Sequence, residues 1–305
     1  MKKLLVTGLS GFVGTTVRQE LARAGGAADF CLCPTQDDYD LRDALAVSRL
    51  VQAHAPDLVL HLAAQSHVVA SMEDPAATLQ INTVGTANLL KALSDNGFSG
   101  RLLYVSSADI YGSVDEALLP VTELQPVAPR NPYAVSKVAS ELLCLQWART
   151  HGLQAIIARP FNHTGAGQRV EFALSGFARD AVAISRGLQA PRLQVGDLDV
   201  TRDYLDVRDV VDAYFRLLVR GEPGQIYNVC SGQERRLRDV LQLILDCAGV
   251  QAELVPDPAR MRPVEQRRMW GSNLKIAAAT GWRPRHTLQQ TLQQLIDYWN
   301  KELQT

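Results

Sequence analysis

The 305 residues carry a formal net charge of −1, with 47% hydrophobic and 21% charged residues. That balance belongs to a folded chain and gives neither the basic footprint of a nucleic-acid binder nor the charge excess of a disordered one. No apolar run approaches the roughly 18 residues of a membrane span, so neither nucleic acid nor membrane is expected as a partner.

KLLVT (3–7) reads as a first strand and FVGTTVRQELARA (12–24) as a first helix. Two lysines before an apolar run imitate a secretory signal, but no A-x-A-like cleavage site follows, and a mature cytoplasmic protein is expected. Between strand and helix stand Gly8, Gly11 and Gly14 at three-residue spacing. Glycine there permits a tight turn, close approach of backbone to a pyrophosphate and close helix–strand packing, with the helix N-terminus facing the anion. Placed after the first strand, the pattern predicts a dinucleotide site.

FCLC (30–33) is a second strand, followed by PTQDDYDLRD. An acid that grips the ribose hydroxyls of NAD normally ends this strand; Cys33 and Pro34 stand there instead. NADP(H) is therefore favoured and NAD(H) remains allowed. Asp37, Asp38 and Asp40 read, on their own chemistry, as a solvated loop and helix cap. The five cysteines, Cys31, Cys33, Cys144, Cys230 and Cys247, lack metal or redox spacing and are expected as buried thiols with no metal site.

A helix over 41–55, a strand over 57–63, a helix from Pro75 to Asp95, a strand over 101–107, a helix over 132–151 and a strand over 154–160 follow. Near-continuous apolar strands alternating with helices indicate an α/β fold, a doubly wound parallel sheet. His61, inside its strand, is expected to be a satisfied core histidine, whereas Ser66 and His67 lie beyond the strand end. After residue 160 the strands shorten (RLQV, IYNV, AELV) and helices are expected at 207–220, 237–248 and 288–303. The predicted organisation is a dinucleotide-binding region over 1–160 and a smaller α/β substrate-binding region over 161–305, some of whose segments return to the first sheet.

In NPYAVSK (131–137), Asn131 suits a helix N-cap and Pro132 the first helical position. Tyr133 and Lys137 then fall one turn apart on one face. A tyrosine pKa of about 10 is too high for proton exchange at neutral pH; an ammonium and the positive charge of a bound nicotinamide would lower it, making Tyr133 a general acid or base. The spacing alone fits a packed tyrosine and a solvated lysine better than a catalytic pair, since any helix can carry the two four residues apart. Ser106 and Ser107, however, end the fourth strand at the sheet edge where ligands bind in this architecture.

Together, G-x-x-G-x-x-G, SSADIYG and Y-x-x-x-K resemble the extended short-chain dehydrogenases/reductases, a Rossmann family acting mostly on nucleotide sugars. The resemblance implies Ser107 as the substrate-orienting hydroxyl, Tyr133 as proton donor or acceptor, and Lys137 as the residue that tunes the tyrosine and holds the nicotinamide ribose. It lays the cofactor over Gly8, Ser10, Gly11, Phe12, Val13 and Gly14, over Asp40 and Leu41, and over Leu62, Ala63 and Ala64. HLAAQSHV (61–68), RPFNHTGAGQ (159–168), TRDYLDVRDV (201–210) and DPARMRPVEQRR (257–268) narrow it to the branch handling GDP-6-deoxy-mannose sugars. That implies a GDP-sugar substrate, with Ser66 and its neighbour His67 at the sugar, Asn162, Arg202 and Arg262 along the diphosphate and Glu265 at a ribose. Arg267 and Arg268 are expected to make surface ion pairs.

Dehydratases of the family place a polar residue and a glutamate after the catalytic threonine, to remove a C5 proton and expel the C6 hydroxyl. Ala108 and Asp109 stand there in this chain. Ala108 donates nothing and Asp109 is shorter than glutamate, so Asp109 is expected as a cap or acceptor. Ketone reduction at C4 is the expected reaction; 4-epimerisation, 4,6-dehydration and a non-catalytic dinucleotide-binding role stay open. The family also implies a homodimer pairing helices 75–95 and 132–151.

Overall fold

The computed structural model describes residues 1–23, 30–34, 39–261 and 266–304. Its first half runs β1 (Lys2–Thr7), α1 (Phe12–Arg23), β2 (Phe30–Leu32), α2 (Ala44–His54), β3 (Leu58–His61), α3 (Val68–Glu73), α4 (Pro75–Leu79), α5 (Gly85–Asp95), β4 (Arg101–Val105), α6 (Pro132–His151) and β5 (Gln154–Pro160). Then come β6 (Asn162–Thr164), α7 (Ala173–Ser185), β7 (Arg192–Val195), β8 (Thr201–Asp206), α8 (Val207–Arg220), β9 (Ile226–Val229), β10 (Glu234–Arg236), α9 (Leu237–Ala248), β11 (Glu253–Pro256), β12 (Arg268–Met269), α10 (Leu274–Thr280) and α11 (Leu288–Glu302).

The main sheet is six-stranded and parallel, in the order β2-β1-β3-β4-β5-β9. The doubly wound Rossmann expectation is borne out. Alternate residues feed opposite layers. Leu4, Val6, Leu60, Leu103 and Ala158 pack against α1, α8 and Trp282, while Leu5, Val59, Leu102, Tyr104 and Ile157 pack against α2, α5 and α6. Progress along the sheet reverses between β1 and β3, which opens a crevice at the strands' carboxyl ends. A separate apolar cluster joins α7, α9, α11 and β7 through Leu174, Phe177, Leu241, Leu245, Leu292 and Leu295.

Local chemistry sets the boundaries. Asn131 caps α6 by accepting from the Ala134 N–H at 2.7 Å, Pro132 opens the helix, and Gly152 ends it at φ 67°. α2 begins at Ala44, later than expected, because Asp43 accepts from the Leu45 and Ala46 N–H groups. The helix expected over Pro75–Asp95 is interrupted by a π-helical segment, Gln80–Val84. α3, α7, α10, β6, β8, β10 and β12 were not anticipated.

Candidate active site

The glycine turn shows why nothing larger fits. Gly8 has φ 76°, and a Cβ there would sit 2.8 Å from the Ala63 nitrogen. A Cβ on Gly14 would overlap the Gly8 carbonyl oxygen and lie 2.6 Å from Leu9 Cα. Gly11 N–H closes the turn on the Gly8 carbonyl at 3.2 Å. The segment after β3 is laid against it, Leu62 N–H donating to Thr7 O at 3.2 Å and Ala63 N–H to Thr7 Oγ1 at 3.2 Å. No acid occupies the first turn of α1, so its positive end is left for an anion. The Gly8–Gly14 segment, with Ser10, Phe12 and Val13 in it, thus lies against Leu62 and Ala63, which Ala64 follows, and the cradle fits a dinucleotide pyrophosphate. Leu41 is buried; Asp40 is exposed and paired with Arg42 at 2.6 Å. Asp37 and Asp38 lie outside the described residues.

The helix bearing Tyr133 and Lys137 buries an unusually polar face: Tyr133, Ser136, Lys137, Ser140 and Glu141. Lys137 Nζ donates to Val105 O at 2.9 Å and lies 5.2 Å from the Tyr104 ring centroid and 5.8 Å from that of Tyr133. Burial pulls its pKa down to about 8, while Glu141 one turn on pulls it back up. Burial pushes the Tyr133 phenol up to about 12, offset in part by hydrogen bonding with Ser107. Burial outweighs that hydrogen bond, so in the chain by itself Tyr133 keeps its proton at neutral pH; the lowering by Lys137 is expected together with the positive charge of a bound nicotinamide.

Ser107 is extended (φ −157°, ψ 146°) and caps a short 3₁₀ turn, Ala108–Tyr111, its Oγ accepting from Asp109 N–H at 3.1 Å. Ser106 is buried and its hydroxyl has no partner among the described residues. Asp109, as expected, is an acceptor: Asn131 Nδ2 donates to Oδ2 at 2.6 Å.

His61 is the core histidine expected, and its tautomer is fixed. Thr86 Oγ1 gives its proton to Asn82 O at 2.6 Å, so it accepts from His61 Nε2 at 2.9 Å. Nδ1 then accepts from Thr7 Oγ1 at 2.6 Å. Burial pushes the ring pKa down to about 3. His67 caps α3 at 3.4 Å, beside exposed Ser66.

Several site neighbours escaped the sequence reading. Asn82, in the π segment, donates to Gln65 O at 2.9 Å and to Ser136 Oγ at 2.8 Å, tying the loop after β3 to α6. His163 stacks on Phe12 with centroids 6.1 Å apart and planes 5° from parallel. Glu141 holds Arg159 through contacts of 2.7 and 3.0 Å, both side chains buried, and Arg159 reaches Tyr111 Oη at 3.1 Å. The trace available in sequence was polar residues on faces that must be buried.

On the other wall, β6 continues from the end of β5 and pairs with β8, Asn162 opposite Tyr204. Asn162 is exposed and Arg202 is half-buried two residues before Tyr204, its Nη1 donating to Thr201 O at 2.7 Å and Gln266 O at 2.9 Å. Arg202 and Asn162 therefore rise from neighbouring strands. Arg262 and Glu265 lie outside the described residues. Asp203 is taken by the Ser231 and Gly232 N–H groups at 2.7 and 2.9 Å, and Asp206 by Arg208 at 2.6 Å. Arg267 pairs with Asp197 at 2.6 Å and Arg268 with Glu234 at 2.7 Å, the surface pairs expected.

The family model described as GDP-mannose 4,6 dehydratase matches residues 35–295. The GDP-6-deoxy-D-mannose reductase of Pseudomonas aeruginosa is 50% identical over 302 residues, covering 99% of this chain and 98% of that protein. A solved structure of RMD from Pseudomonas aeruginosa complexed with NADPH superposes with a TM-score of 0.95 at 49% identity, covering 99% of this chain and 100% of that one. The UDP-glucose 4-epimerase of Thermus thermophilus, solved with NAD, reaches a TM-score of 0.83 at 29% identity, covering 97% and 98%.

Proposed function

Given that the chain belongs to the extended short-chain dehydrogenases/reductases, we propose that it reduces the C4 ketone of GDP-4-dehydro-6-deoxy-D-mannose to GDP-D-rhamnose, with NADP(H) as cofactor. The observation that carries this reading is the arrangement of three side chains: buried Tyr133 hydrogen-bonds with Ser107, and the Lys137 ammonium lies 5.8 Å from the centroid of the tyrosine ring. A protonated phenol there can serve as the acid that a ketone becoming an alcohol requires.

Ser107 orients the carbonyl oxygen and donates to it as negative charge develops. Tyr133 passes its phenolic proton to that oxygen. Lys137, moored to β4, stabilises the tyrosinate left behind and holds the nicotinamide ribose. When bound, the reduced nicotinamide supplies the hydride. Elimination is poorly served, because Ala108 offers no polar group and Asp109 is held by Asn131.

Residues 1–160 bind the dinucleotide in this reading, with Asp40 and Leu41 at its adenosine end; 161–305 mainly bind the nucleotide sugar, β9 returning to the main sheet. Asn162, Arg202 and Arg262 hold the diphosphate, a task suited to arginine's planar fork. Glu265 accepts from the ribose and Ser66 touches the sugar.

The enzyme works in the cytoplasm as a homodimer. In support, Met72, Leu79, Val84, Val135 and Leu142 are exposed apolar residues on α3, α4, the π segment and α6, and α4 and α5 pack against α6. No helix among the described residues is long and apolar enough to cross a membrane. Turnover of the ketosugar by the native chain and by Tyr133→Phe tests the reading: the variant should bind NADPH and fail to reduce the sugar.

A further inference from the structure

Two catalytic side chains on separate elements, Ser107 after β4 and Tyr133 on α6, must hold one distance for a shared substrate oxygen. We propose that the Asp109–Asn131 hydrogen bond is a positioning brace that locks the Ser107 turn to the N-terminus of the Tyr133 helix; this rests on the reductase reading above.

The connection is continuous. Ser107 Oγ accepts from Asp109 N–H at 3.1 Å. The Asp109 carboxylate accepts from Asn131 Nδ2 at 2.6 Å, a contact strengthened by the acceptor's charge. Oδ1 of that amide accepts from Ala134 N–H at 2.7 Å, one residue past Tyr133. One asparagine therefore caps the helix with one atom and grips the turn with the other.

A second pair of contacts shows that turn and helix entry form one unit. Ala128 N–H donates to Ile110 O at 2.9 Å. Gly112, at φ 63°, lies so close that a Cβ would overlap the Ala128 carbonyl oxygen. Lys137 adds a third tie, to Val105 O at 2.9 Å. The brace is the only one of these ties whose two side chains flank both Ser107 and Tyr133 within two residues.

The variants separate brace from cap. Asn131→Ser keeps a capping hydroxyl and removes the amide donor; Asp109→Ala removes the acceptor; Asp109→Asn restores an acceptor without charge. Steady-state kinetics with the ketosugar, NADPH titration by fluorescence and thermal melts should show kcat down about ten- to a hundredfold in Asn131→Ser and Asp109→Ala. NADPH affinity should stay within about twofold, as expected when only the reacting geometry is disturbed. The double variant should be no worse than either single, as expected for one shared interaction, and Asp109→Asn should recover about tenfold over Asp109→Ala. Unchanged kcat in either single variant, additive losses, or losses that track melting temperature overturn the brace. Native turnover judges the functional reading separately. If it fails, amide exchange at Asp109 still decides the brace: faster in Asn131→Ser supports it, unchanged refutes it.

Discussion

Lys137 donates from Nζ to the Val105 carbonyl at 2.9 Å, so the ammonium is moored to the last residue of β4 and not left to swing in the cleft. Its surroundings contribute His61, Tyr104, Tyr133, Glu141 and Cys144 as titratable neighbours. Burial outweighs the Glu141 carboxylate and brings the lysine to about 8, while Tyr133 stands near 12. The alkaline limb of kcat/KM, which reports the free enzyme, should therefore belong to the lysine. Activity should fall as pH rises through about 8, and Lys137→Met should lose about a hundredfold and flatten the limb. A native limb above 10 would reassign it to the tyrosine.

His61 makes an acid prediction. Its ring stands at about 3 when folded against 6.5 ordinarily, so between those values the unfolded chain holds a proton that the folded chain lacks. Stability then falls as pH falls through that window, by up to about 1.4 kcal/mol per pH unit from this group. Urea midpoints between pH 7 and 4 should drop more steeply for the native chain than for His61→Gln. Parallel slopes would mean that the ring protonates in place.

The cradle prediction is steric. In Gly14→Ala the added methyl meets backbone on the Gly8–Leu9 side, where no rotamer relieves it. NADPH affinity should fall at least about tenfold, through displacement of the turn from the pyrophosphate. Calorimetric titration checks this; native affinity would show that the turn relaxes freely.

A charge in the exposed apolar face tests assembly. Leu142, 58% exposed on α6, should lie in the dimer contact, and Leu142→Glu should shift the sedimentation mass toward the monomer while leaving the melting temperature of the protomer core little changed. A native chain that sediments as a monomer ends the homodimer reading.

What was legible in sequence follows from range. The start of α6 was legible because Asn131 and Pro132 mark it locally, and β5 because QAIIARP is a nearly unbroken apolar run. The π segment at Gln80–Val84 has no local mark, and β8 was missed because TRDYLD shows tertiary pairing without an apolar run. The same holds at the site. Gly8–Gly14 and Tyr133–Lys137 are short-range patterns. Asn82 meets Ser136, Asp109 meets Asn131 and Glu141 meets Arg159 only because the sheet folds distant segments together. The raised Tyr133 pKa was missed for the same reason: charge proximity can be guessed from spacing, and burial cannot.

The most direct test of the central claim is NADPH oxidation followed at 340 nm with GDP-4-dehydro-6-deoxy-D-mannose, native chain against Tyr133→Phe, with NMR of the product. The account predicts NADPH consumption and GDP-D-rhamnose from the native chain, and a loss of at least about a hundredfold in the variant with NADPH still bound. An untouched ketosugar with the native chain, or a Tyr133→Phe rate equal to the native one, would contradict it.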